Sequence, residues 1–267
     1  MKHGFEIIDF HTHPFLSESY NICNHKKVLR DMSAENTLSL MRALGVNKIC
    51  GAVVSVDSMG GPSYENHWQR ISDWNLQALE LKKIYGDFYI PGFHIHPDFV
   101  EESCLEIDRM HGRGVRLLGE LVPYLCGYQS YSSENMKTII DYATQKNMVV
   151  SIHTMLEDDM DAFVEQHPDT TIVAAHPNEY EGFMRHLQRL KKYPNYYLDL
   201  SGYGVFRHGM LRRAIDEVGA DKILYGSDFP TCNPGMYVGS VLLDPLITDE
   251  EKRIVFAENA KRLLKLK

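Results

Sequence analysis

Short apolar or β-branched runs alternate along the chain with segments whose apolar residues recur every three or four positions. The runs at 5–10, 48–54, 89–94, 115–119, 148–153, 171–175, 196–200 and 223–226 read as strands. Helical patterns lie between and after them, at 34–44, 68–84, 101–111, 134–146, 160–166, 181–191, 209–218 and 249–265. Ser33, Ser133 and Thr248 stand where an N-cap oxygen is wanted. Gly45, Gly112, Asn147 and Gly219 stand where helices commonly stop. Eight strands, each followed by a helix, predict the α/β class and a single (β/α)8 TIM barrel over residues 1–267. A doubly wound sheet fits less well. The first strand runs into HTHP, and neither a G-x-G-x-x-G turn nor a P-loop occurs. No composition shift, linker or repeat divides the chain. The longest irregular stretches, 14–31, 55–66 and 229–246, follow strands one, two and eight. That is the carboxyl side, where such barrels carry their chemistry.

Composition narrows the function classes. An apolar share of 44% and a charged share of 24% are those of an ordinary globular protein. No apolar run approaches the ~18–20 residues of a membrane span, so no membrane role is expected. The segment MKHGFEIIDFHTH has no apolar signal core, and candidate functional histidines begin at position 11. No removable presequence is therefore expected. A net charge of −8 argues against a nucleic-acid partner. The five cysteines are scattered and form no C-x-x-C, which argues against a disulfide framework and for a reducing, cytoplasmic setting. Histidine is the unusual residue: there are 13, and their positions carry the argument.

Asp9, His11 and His13 fall at i, i+2 and i+4, on one face of the first strand. His153, His176 and Asp228 end strands five, six and eight, and Glu120 closes strand four. A lone histidine at a strand end is usually structural. This set converges on one barrel mouth and reads as a divalent metal site: zinc first, with manganese or iron as alternatives. Asp9, one layer below His11, is placed to orient a ligand imidazole. His96, Tyr124 and Arg116 are candidate substrate contacts, the last because alternation puts it on the face of Glu120. Tyr128 joins Tyr124 as a possible pocket wall, and His94 reads as packing.

The segments DFHTH, IHT, AAHP, ILYGSDFP and FAENAKRLL, spread over nearly the whole chain, resemble the amidohydrolase superfamily. The pattern is most similar to its amidohydrolase-2 branch, which includes aminocarboxymuconate semialdehyde decarboxylase-like proteins. The resemblance implies a metal held by His11, His13, His153 and Asp228, with His176 as ligand or catalytic group. Some superfamily members bridge two metals through a carboxylated lysine on strand four. Here GVRLLGE has no lysine and Glu120 stands instead, as in TatD-type metal-dependent nucleases. One or two ions therefore remain open. The implied activity is hydrolysis of a small-molecule amide, lactone or ester, with Asp228 carrying the proton and His176 steadying charge. Non-oxidative decarboxylation and TatD-like nuclease action are the alternatives. The partner is a small-molecule substrate, and a homo-oligomer is compatible with the sequence.

Overall fold

All eight predicted strands form and pair in chain order as one parallel sheet. They are β1 (Ile8–Asp9), β2 (Lys48–Gly51), β3 (Tyr89–Phe93), β4 (Leu117–Leu121), β5 (Val149–His153), β6 (Thr171–Ala175), β7 (Tyr196–Asp199) and β8 (Ile223–Leu224). The computed structural model describes residues 3–23, 34–56, 61–204 and 207–266; Ser33, expected to cap the first helix, lies outside them. The first and last strands meet through backbone bonds just beyond their ends. Phe10 N donates to Tyr225 O at 2.9 Å, Asp228 N to His11 O at 2.9 Å, and His13 N to Phe229 O at 2.7 Å. Thr12 bridges Phe229 in parallel register. This seam closes the sheet into the predicted (β/α)8 barrel.

Six strands send Ile8, Cys50, Leu117, Val149, Val173 and Leu224 into the lumen on its amino side. Ala257, Ala260 and Leu264 from the last turns of the chain plug that end. The opposite faces of the strands, with residues such as Phe93, Val150 and Leu198, lie under the surrounding helices. These are α1 (Ala34–Ala43), α2 (His67–Tyr85), α3 (Val100–Gly112), α4 (Pro123–Cys126), α5 (Glu134–Gln145) and α6 (Glu157–Gln166). They continue with α7 (Tyr180–Lys192), α8 (Met210–Val218), α9 (Pro234–Leu242), α10 (Asp249–Arg253) and α11 (Asn259–Leu264). In α2 the buried Ile71, Trp74, Ala78 and Leu81 show the three-to-four spacing that makes an apolar stripe. Ser133 caps α5 by accepting from Met136 N, and Thr248 and Glu251 form a capping box at α10. No described helix is long and apolar enough to cross a membrane.

Three features differ from the expectation. The stretch 229–246 contains α9, whose Asn233 cap and Pro234 at the first turn are a helix start rather than a loop. The helix expected over 249–265 is divided by a π turn at Ile254–Glu258. In β4, Leu118 pairs with Val150 but Leu121 with Ile152, so one extra residue is accommodated on β4. The extra residue is at Gly119, whose φ is +104° and where a Cβ would come within 2.2 Å of Ser151 O. Leu121 keeps the outward face, and Glu120, which strict alternation would turn outward with Leu118, turns into the lumen.

Two histidines are structural. His94 bonds Val53 O at 3.0 Å and packs edge-on against Trp74. His186 contacts Tyr196 Oη at 2.9 Å and Thr154 Oγ1 at 3.2 Å. Burial pushes His94 down to about 4 and His186 down to about 3. Such imidazoles stay neutral in the folded chain but protonate near 6.5 in the unfolded one. Their contribution is complete above pH ~6.5 and is lost as pH falls from there, about 2 kcal/mol each by pH 5. These two groups therefore contribute a drop in the urea midpoint, measured in chelator, between pH 7 and pH 5, and Asp9 and His13, whose values are raised, work against it. His186→Gln should shrink that drop; an unchanged pH dependence would show that His186 is not the group responsible.

Candidate metal centre

The seam places three of the candidates. His11 and His13 lie on the extension of β1, and the amide of Asp228 is tied to the His11 carbonyl. His153 is the last residue of β5, and His176 follows β6. His176 and Asp228 adopt left-handed backbone angles, with φ of +69° and +59°. A non-glycine residue held there costs of order 1–3 kcal/mol, and such residues concentrate at functional sites.

The side chains form two adjoining groups. His11, His13 and Asp228 offer ligand atoms within 4.8 Å of one another, and so do Glu120, His153 and His176. Glu120 joins them. Its Oε2 lies 3.3 Å from His11 Nε2 and 3.4 Å from His13 Nε2. Its Oε1 lies 2.9 Å from His153 Nδ1 and 3.5 Å from His176 Nε2. Asp228 Oδ1 is 3.7 Å from His11 Nε2 and 3.5 Å from His13 Nε2. The six groups sit at the carboxyl mouth of the barrel, all buried except the half-buried His153.

The hydrogen-bond accounting shows that this cluster suits a cation. His13 Nδ1 faces the Ala52 carbonyl at 3.2 Å, which can only accept. His11 Nδ1 faces Asp199 Oδ2 at 3.0 Å, another acceptor. Both Nδ1 atoms therefore carry the proton in a neutral ring, and both Nε2 atoms present lone pairs. Those lone pairs lie 3.3 Å from each other and face the Glu120 carboxylate. A cage of acceptors needs a positive charge inside it, either a metal ion or added protons. The pKa directions follow. Burial raises Glu120, but His11 and His153 outweigh it and hold the carboxyl well below its ordinary value. Burial opposes protonation of His13, yet Asp228 and Glu120 lift it to about 9. His11 is raised well above its ordinary value against burial, by Glu120 and Asp199. Burial lowers His176. Imidazoles and carboxylates together fit zinc, manganese or iron.

Two residues without an expected role support the cluster from behind. Asp199 ends β7 and Ser201 follows it, both fully buried. Ser201 Oγ lies 3.0 Å from His11 Nδ1, 3.0 Å from His176 Nδ1, and contacts Asp199 Oδ1. One carboxylate and one hydroxyl thus orient an imidazole in each group. Asp199 also falls within 4.8 Å of His11 and His176 ligand atoms, but it occupies the Nδ1 side of His11, away from the Nε2 cage. Its signal in the sequence is the lumen face it shares with Tyr197, at the one late strand end not yet given a polar group.

Four expectations are corrected. Asp9 does not orient an imidazole ring; its carboxylate accepts from the backbone of His11 at 3.3 Å and of Ser227 at 2.9 Å, and from Ser227 Oγ. It ties the β1 extension to the β8 extension, and burial raises its pKa to about 7. Arg116 precedes β4 at the amino end, where its guanidinium bonds the carbonyls of His111 and Val115. The extra residue at Gly119 removes Glu120 from the face alternation assigned to both. His96 is buried outside the pocket, stacked on His67 and edge-on to Phe99 and Tyr128. Tyr128 is buried in that same aromatic group rather than in the pocket wall. Tyr124 does line the pocket, edge-on to His153 with ring centres 5.6 Å apart.

Residues 8–266 match the model of the family described as amidohydrolase, Amidohydro_2. The chain belongs to that family, and it is a metal-dependent enzyme. No functionally curated protein matches it. Several solved structures share its fold. An uncharacterised barrel protein from Bordetella bronchiseptica superposes with a TM-score of 0.76 at 20% identity, covering 98% of this chain and 99% of that one. The 2,6-dihydroxybenzoate decarboxylase from Rhizobium gives 0.72 at 15% identity, covering 98% and 99%. A dihydroxybenzoic acid decarboxylase from a Polaromonas species, with bound manganese and 2-nitroresorcinol, gives 0.72 at 16% identity, covering 98% and 97%.

Proposed function

We propose that the chain hydrolyses a small-molecule amide, lactone or ester at a two-ion centre held by His11, His13, Asp228, Glu120, His153 and His176. Zinc is the first choice of metal, with manganese and iron as alternatives. The observation that carries this reading is the Glu120 carboxylate, whose two oxygens are divided between the two ligand groups. Divalent ions there would lower the pKa of water towards neutrality and polarise a substrate carbonyl. The chain's own groups do the rest. Asp228 lines the pocket and accepts the proton of the attacking water, then returns it to the leaving atom. His176 serves as ligand, because its Nε2 faces Glu120 and His153 and its Nδ1 is held by Ser201. Tyr124, over His153 at the mouth, touches substrate.

A decarboxylase is the second reading, favoured by the named structural neighbours. Protein reconstituted with zinc or manganese should hydrolyse members of a panel of neutral esters, lactones and amides. It should release no CO₂ from hydroxybenzoates and leave supercoiled DNA intact. CO₂ release without any hydrolysis would replace this reading with the second, and DNA nicking would replace it with a nuclease.

Asp199→Asn keeps the shape but puts an amide against His11 Nδ1, so the ring's proton is no longer required on that side. Metal affinity should fall 10–100-fold. Ser201→Ala should weaken it less, since Asp199 still holds His11. Equal affinity in calorimetric titrations of wild type and Asp199→Asn would show that the pairing has no influence on the ligand.

A further inference from the structure

The pocket above the metal centre holds about 600 Å³, within the range of small-molecule sites. Its charged lining consists of the cluster's own imidazoles and carboxylates; among the described residues neither lysine nor arginine lines it. Beyond the cluster the lining combines the apolar Ile22, Val122 and Leu125 with the uncharged polar Asn178, Thr231 and Cys232. At the rim stand Tyr124, Tyr203 and Met236, which follow β4, β7 and β8 and remain 62%, 68% and 46% exposed. Large apolar side chains left open to solvent by α4, α9 and the segment after β7, all at one mouth, mark a surface meant to be covered by a ligand.

We infer that this pocket selects substrates whose non-reacting part is uncharged and apolar, an aryl or branched alkyl body. The inference takes from the proposed function only that the reacting group sits at the His–carboxylate cluster. A carboxylate or phosphate carried on the outer part of a substrate would lose water against these walls and meet no cation among the described lining residues. An aromatic body instead buries apolar surface against the leucine, isoleucine and valine walls and stacks on the two tyrosines. The site thus divides its labour: the cluster takes the one polar, reacting group, and the rim discriminates against a second charge.

Hydroxamates test this without requiring turnover, because each presents the same metal-seeking group and varies only the body. Binding to manganese-loaded protein is measured calorimetrically for acetohydroxamate, benzohydroxamate, 4-carbamoylbenzohydroxamate and 4-carboxybenzohydroxamate. Benzohydroxamate should bind at least about tenfold tighter than acetohydroxamate, and the 4-carboxy compound at least about tenfold weaker than its 4-carbamoyl isostere. Met236→Lys, at the exposed rim, should recover at least about fivefold for the 4-carboxy compound alone. Equal affinity across the series, absence of binding, or preference for the 4-carboxy compound in the wild type overturns the inference. Failure to hydrolyse any ester, lactone or amide would sink the proposed reaction and leave these binding ratios decisive for the pocket.

Discussion

Asp228→Asn should fold, keep part of its metal and lose turnover by about 10²- to 10⁴-fold. The backbone at this position is held independently of the carboxylate, because Asp228 N donates to His11 O at 2.9 Å and Cys232 N donates back to Asp228 O at 3.1 Å. An amide oxygen can still face His11 and His13 as Oδ1 does, at 3.7 and 3.5 Å. It cannot take up a proton and release it. Burial raises Asp228, but the imidazoles around it prevail and keep the carboxyl below its ordinary value. It is thus ionised, and able to accept, at neutral pH. The measurements are kcat on whichever substrate is turned over, metal content, and the thermal midpoint. Near-normal kcat with full metal would place the proton on another group.

Glu120→Gln should lower the bound metal from about two equivalents to about one under metal-replete conditions. The carboxylate has an oxygen for each ligand group, at 3.3 and 3.4 Å on one side and 2.9 Å on the other. Glutamine offers one oxygen and one nitrogen donor, so one side must face an N–H where a lone pair stood. The negative charge that offsets two divalent ions also disappears. If wild type and variant each bind one equivalent, Glu120 is not a bridge, and the site is mononuclear.

The barrel was legible because its periodicities are long-lived: a two-residue alternation and a three-to-four-residue stripe survive changes of neighbour. The histidines at strand ends were legible for the same reason. Height along the barrel was less so. Arg116 and Glu120 share a parity, but one lies below the sheet and the other beside the metal ligands, and the extra residue at Gly119 reverses the parity between them. A glycine with a positive φ leaves no mark in a hydrophobic pattern. His96 failed differently: it follows β3 by a few residues, and the chain there turns under α2 and α3 instead of rising to the mouth. Asp199 went unassigned because a buried carboxylate on an apolar strand gains its meaning only from His11, 188 positions away. The helix after β8 was hidden by its proline and glycines, although Asn233-Pro234 is also how a helix begins.

The seam that closes the barrel has a consequence for when the site can exist. His11 and His13 emerge early in synthesis and meet Ala52 and Glu120 next, but other groups that hold and complete them come from the far end of the chain. Asp199 orients His11, Asp228 completes its ligand group, and Ser227 and Phe229 bond the strand that carries both histidines. The plug of the lumen, from Ala257 to Leu264, arrives later still. A nascent chain therefore offers passing metal ions an incomplete His11–His13 pair, and that ligand group is completed only when the final strand brings Asp228 to it.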